Sequence, residues 1–275
     1  MRTGWIALAI MLPLLPLQAT ATDTQYLQSL RDTHYERVES EAVGRAYHVY
    51  TMLPESYASD AERRYPTIYV LDGGLLFPLL VAYYRYLRNA EETQEAIIVG
   101  ISYGSDRFEG GNYRSTDFTA PSVERDYWGG AEHFQAFLQN ELMPQVETRY
   151  RSDASRRIVF GHSLGGQFVL YSAQTKPELF WGHIASNPAL HRNLDLFLAQ
   201  RPASESNSRL FVASATGDEK VYRTPLMSWA NHWSNAETRP WALKVMHLEG
   251  HTHLSAPPAS FRQGLSWLYA VESAD

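Results

Sequence analysis

The sequence predicts an α/β fold, a mostly parallel central sheet with helices on both faces, and three observations carry that expectation. Apolar, β-branched runs such as "YPTIYV", "EAIIVGIS" and "RRIVF" have the near-continuous hydrophobicity of strands covered on both sides. Segments with helical spacing separate these runs, so that strands and helices alternate. The chain has 275 residues, 44% hydrophobic and 20% charged, which suits one sizeable core and excludes a disordered class.

The first segment reads as an address rather than a structural element. Arg2 precedes an apolar run from Trp5 to Leu17, followed by Ala19-Thr20-Ala21. A charged start, a short apolar stretch and an A-x-A site describe a secretory signal peptide over residues 1–21. Pro13 and Pro16 interrupt the run, which is too short for a membrane span, so no stable membrane anchor is expected after cleavage. Residues 22–275 are expected to form a single exported domain, periplasmic or secreted.

Asp23 to Asp32 reads as a polar lead-in, and Tyr35–Glu39 and Ala46–Met52 alternate as a strand pair ended by Pro54. "YPTIYVLDGG" is a buried strand running into a tight turn, "LLFPLLVAYYRYLRNA" a helix, and "EAIIVGISYG" a second buried strand. Residues 104–128 have no clean period, and a loop of that length in a compact domain points to function. Gly130 to Tyr150 has helical spacing, then "RRIVFGHS" is a strand and "GGQFVLYSAQ" a helix directly after it. "FWGHIASN", "RLFVASATG" and "WALKVMHLEG" supply three more strands, a polar loop covers Arg201–Ser208, and residues 258–272 form a final amphipathic helix.

Composition narrows the function. A formal charge of -6 with no basic block excludes a nucleic-acid binder. The absence of cysteine excludes a thiol nucleophile, a thiolate metal site and a lipid-modified cysteine anchor.

The chemistry-bearing signal is Gly161-His162-Ser163-Leu164-Gly165, set between a strand and a helix. A nucleophilic serine needs such a sharp turn to expose its hydroxyl, and small neighbours let strand and helix approach. The backbone N–H of Leu164 then points to where an oxyanion would form, and Gly74, in the turn after "YVLD", is the second donor by position. Asp72 could orient that turn by accepting backbone hydrogen bonds. In α/β-hydrolases the base follows the last strand, where "LEGHTHLSAPP" offers His251 and His253. A His-x-His pair could hold a metal, but no further ligand stands at metal spacing, so neither metal nor organic cofactor is expected. The acid should follow an intervening strand, where Asp218 and Glu219 stand side by side and spacing does not separate them. Asp195 is less well placed, and His162 is expected to line the pocket or pack rather than act as the base.

These motifs together resemble the "putative esterase" family of α/β-hydrolases, which includes esterase D, feruloyl esterases and the esterases of enterobactin-type siderophores. The resemblance runs from Val38 to Val271, through "YPTIYVLDGG", "YRSTDFTAP", "IVFGHSLGGQFVLY", "ATGDEK" and "EGHTHLSAPPASFRQGLSWL". It implies His253, followed by Ser255 and Gly264-Leu265, as the base in preference to His251. It favours Glu219 as the acid, although esterase D-type members have an aspartate there, which keeps Asp218 open. It also implies that Arg114 and Asp117 act as a pair beside the serine, either positioning substrate or ordering their loop. A ferric catecholate would call for a cationic mouth, where this chain offers Arg107, Arg114, Lys220 and Arg223. The expected function is an exported serine carboxylesterase acting on a small-molecule ester through a Ser-His-acid triad and an acyl-enzyme, with siderophore-type or aromatic esters as the candidate substrates. Acyl transfer on the same site and a non-catalytic binding module are the alternatives.

Overall fold

The computed structural model describes residues 27–199 and 207–272. The expected signal segment, residues 1–21, and most of the polar loop at 201–208 lie outside the described residues. In chain order the elements are Thr33–Ser40 (β1), Arg45–Met52 (β2), Tyr65–Val70 (β3), Gly73–Asn89 (α1), Ile97–Ser102 (β4), Arg114–Asp117 (α2), Ala131–Phe137 (α3), Met143–Arg149 (α4), Ser152–His162 (β5), Leu164–Thr175 (α5), Gly182–Ser186 (β6), Leu194–Leu198 (α6), Arg209–Ala215 (β7), Lys220–Ser234 (α7), Ala242–Leu248 (β8) and Ala256–Glu272 (α8).

The eight strands make one sheet in the order β1-β2-β4-β3-β5-β6-β7-β8. β1, β2 and β4 pair antiparallel, and every other pairing is parallel. β3 and β4 are fully buried, which is why their sequences read as unbroken apolar runs. Period-two alternation still sorts their side chains between two cores. Ile68 and Val70 face one side with Ile98, Phe160 and Leu265, while Tyr69 faces the other with Val99, Val159 and Phe168. α1 and α8 cover the first face, and α3, α5 and α7 cover the second. Phe160 stands edge-on to Phe261 of α8 at 5.4 Å, and truncating such a buried ring to alanine costs about 3–5 kcal/mol.

The expected elements recur with local differences. The 104–128 segment contains the short helix α2. The expected helix over 130–150 is interrupted by a π-helical turn at Leu138–Leu142, just before Pro144, whose missing N–H removes one regular bond. α7 carries Pro225 and a polar first turn that hide its period, and α8 starts at Ala256, two residues before the expected 258.

The topology fixes where a site can be. The chain leaves β3 towards β4 on one side and returns to β5 on the other. The crevice outside the carboxyl ends of β3 and β5 is therefore the switch point of the sheet.

Candidate active site

Ser163 stands at that crevice, immediately after β5, with φ 57° and ψ -114°. A serine rarely adopts a positive φ, so the surroundings must hold it there. They do so through the end of β6. Ser163 N–H donates to the Ser186 carbonyl at 3.0 Å, and the Ser163 carbonyl accepts from Ala189 N–H at 3.0 Å and Gln167 N–H at 2.9 Å. Gly161 makes the turn possible, because a Cβ there would meet the Gly165 carbonyl oxygen at 2.2 Å. Ser163 caps α5, and Leu164 is the first residue of that helix, where backbone N–H groups have no intrahelical acceptor.

Next to it, Asp72 lies two residues past the end of β3, with φ 54°, and immediately precedes α1. Gly73 and Gly74 form the first turn of α1. A Cβ on Gly73 would lie 2.6 Å from Ile101 N, and one on Gly74 2.8 Å from Ser102 Oγ, so this helix enters hard against β4. Two helix N-termini, those of α1 and α5, thus converge beside Ser163, and both favour negative charge. The expectation that Asp72 orders its own turn through backbone bonds is corrected. Its carboxylate makes no cap and instead receives Arg114, Nε to Oδ1 at 2.6 Å and Nη2 to Oδ2 at 2.9 Å.

The structure brings His253 and Asp218 together. His253 Nδ1 lies 2.9 Å from Asp218 Oδ2, and Asp218's side chain is 2% exposed. Two further donors hold the carboxylate: Asn187 Nδ2 donates to Oδ2 at 2.8 Å, and Glu219 N–H donates to Oδ1 at 2.7 Å. The preference for Glu219 as the carboxylate on the histidine is therefore corrected to Asp218. Glu219 is the exposed N-cap of α7, and its backbone, not its side chain, serves the site. His251 turns elsewhere, with Nδ1 3.2 Å from the Ser255 carbonyl. Asp195 lies in the first turn of α6.

Rings flank the His253 imidazole. Tyr222, from the first turn of α7, stacks on it at 4.8 Å and 27°. His162, the residue before Ser163, approaches at 4.7 Å and 52°. His162 Nδ1 lies 3.1 Å from the Ser186 carbonyl, and burial, helped by the neighbouring His253, pushes its pKa down to about 4. It is thus a neutral packing partner at neutral pH, 9% exposed. None of Asn187, Tyr222 or Asp72's pairing could be found from local patterns, since each partner lies tens of residues away.

Asp117 does not join the site. It is fully buried, pairs with Arg45, and accepts from the Tyr47 hydroxyl at 2.7 Å and the Tyr103 hydroxyl at 3.1 Å. Burial pushes its carboxyl above the usual carboxylate range. The expected Arg114–Asp117 pair is therefore corrected: Arg114 goes to Asp72, and Asp117 anchors α2 to β2. Lys220 and Arg223 line a groove on α7 that reaches Asp218.

Comparisons with known proteins bear on the family and the fold. The family model described as "Putative esterase" matches residues 40–262. The ferri-bacillibactin esterase BesA of Bacillus subtilis is 35% identical over 216 residues, covering 71% of this chain and 73% of the relative. The apo-salmochelin esterase of Escherichia coli O6:H1 is 29% identical, covering 62% of this chain and 56% of the relative. Among solved structures, the BES protein from Bacillus cereus superposes with a TM-score of 0.74 at 24% identity, covering 86% of this chain and 96% of its own. An IroE-like serine hydrolase from Shewanella oneidensis gives 0.75 at 21% identity, covering 86% and 80%. The fold is that of the α/β-hydrolases.

Proposed function

The chain belongs to the "Putative esterase" family and is a serine ester hydrolase, and from that premise we propose that it cleaves siderophore-type esters through Ser163, His253 and Asp218. Ser163 Oγ attacks the ester carbonyl while His253 Nε2 takes its proton. The imidazolium that forms donates its Nδ1–H to Asp218 Oδ2, across the 2.9 Å contact that carries this reading. The N–H of Leu164 and that of Gly74 stabilise the tetrahedral oxyanion at the two converging helix N-termini. The alcohol leaves with the proton from His253, and water, deprotonated by the same histidine, releases the acid from the acyl-enzyme.

The substrate class rests on the relatives, whose printed names include a ferri-bacillibactin, an apo-salmochelin and a triacetylfusarinine C esterase. Lys220 and Arg223, in the groove that reaches Asp218, offer positive charge to an anionic ester, although the chain as a whole carries -6. Ser163→Ala is expected to abolish hydrolysis of p-nitrophenyl butyrate and of a triscatecholate trilactone, with and without iron. Unchanged turnover by that variant would refute the mechanism. A wild-type preference for feruloyl esters over the trilactone would refute the substrate class alone. Export belongs to the same proposal, supported by Arg2, the apolar run Trp5–Leu17 and Ala19-Thr20-Ala21. A mature N-terminus at Thr22 in the exported protein is the expected result, and retention of Met1 there is the contrary one.

A further inference from the structure

The bidentate pair between Asp72 and Arg114 has no part in the proton transfers, yet it stands against both helix N-termini of the site. Asp72 is the left-handed residue between β3 and α1, at φ 54°. Its carboxylate also borders α5, since a methyl group on Gly165 would lie 3.5 Å from Asp72 Oδ2. Both members of the pair act electrostatically on His162, the neighbour of Ser163, Asp72 raising its proton affinity and Arg114 lowering it. The side chains of Arg114 and Asp72 are 30% and 16% exposed, so water screens them only in part.

An anionic carboxylate in that place would oppose an oxyanion forming at the same N–H groups. Arg114 removes the conflict. Its guanidinium spends two N–H groups, in the fixed fork geometry that matches a carboxylate, on Asp72. Resting on the Ser163 mechanism, we propose that Arg114 is a positioning residue that neutralises and fixes Asp72, keeping the N-termini of α1 and α5 free for the oxyanion, and is not itself a substrate contact. Asp72 in turn tethers the 104–128 segment, through α2, to the end of β3. The carboxylate orders the loop, and the arginine cancels the charge that this ordering brings to the site.

A double-mutant cycle on neutral p-nitrophenyl acetate tests this, since an uncharged substrate gives Arg114 nothing to bind. Asparagine tolerates the left-handed conformation, so Asp72→Asn removes the charge and keeps the turn. Arg114→Met, which strands the carboxylate, is expected to lower kcat about 30- to 100-fold with KM changed less than about threefold. Adding Asp72→Asn to it should bring kcat back to within about tenfold of wild type. Arg114→Lys, which keeps the charge but loses the fork, should fall between wild type and Arg114→Met. Thermal melts establish that each variant is folded, and should Arg114→Met fail to fold, the double variant and Arg114→Lys still carry the comparison. A double variant no faster than Arg114→Met, or one that stays more than about tenfold slower than wild type, would overturn the proposal. So would a loss confined to KM in Arg114→Met. Inactivity of Ser163→Ala together with an unrescued double variant would sink this inference and leave the serine mechanism standing. An active Ser163→Ala would sink the mechanism itself.

Discussion

Asp117 and Asp218 are both almost wholly removed from water, with side chains 0% and 2% exposed, but they are held by different kinds of partner. Around Asp117 the structure sets a cation, Arg45, and two phenol donors, Tyr47 and Tyr103, so its charge is cancelled locally. Around Asp218 it sets an amide from Asn187, the backbone N–H of Glu219 and the His253 ring, and among the described residues no arginine or lysine pairs with it. A carboxylate matched by a fixed cation is an anchor, because its charge is already committed. One held by neutral donors keeps its charge for the imidazolium that forms opposite it. Asp72 is a third case, a carboxylate beside the reacting centre whose charge is cancelled by Arg114.

Exchanging the carboxylates for amides should separate the first two roles. Asp218→Asn is expected to lower kcat about 10³- to 10⁴-fold while the protein stays folded, because an amide supports the wrong histidine tautomer. Glu219→Gln should stay within about threefold, since only its backbone touches the site. Equal losses from the two variants in p-nitrophenyl ester kinetics would erase the distinction between them.

Asp117→Ala should act on the fold instead. Leaving Arg45 and two buried phenols without their acceptor costs about 3–5 kcal/mol in denaturant unfolding. The kcat of the folded fraction should change less than about tenfold. A variant of full stability with greatly reduced kcat would move Asp117 into the site.

The smallest effect concerns pH. Burial lowers the pKa of His162 to about 4 and that of fully buried His183 to about 3, both from 6.5. Below 6.5 the unfolded chain therefore binds protons that the folded chain refuses. The stability from these neutral histidines is complete above that pH and falls as pH drops towards 4. Melting temperatures between pH 7 and pH 4.5 should decline accordingly, and a flat profile would count against both burial assignments.

The strands and the turn at Ser163 were legible in the sequence because they are local. β3, β4 and β5 are apolar runs, and "GHSLGG" joins a strand to a helix with glycine where Gly161 meets the Gly165 carbonyl. The choice between Asp218 and Glu219 was not legible, because one turn dihedral decides which of two adjacent carboxylates points inward. The side-chain bonds of Asn187 to Asp218 and of Arg114 to Asp72 join residues 31 and 42 positions apart, and only the assembled sheet brings them together. α7 escaped the reading because Pro225 and the polar "KVYRT" break its apolar period.

Covalent labelling tests the central claim most directly. An active-site fluorophosphonate should modify Ser163 alone, as read by peptide mass spectrometry, and should do so about 10³-fold more slowly in Asp218→Asn. Modification of a different residue, or an unchanged rate in that variant, would contradict the assignment of Ser163, His253 and Asp218 to one reacting centre.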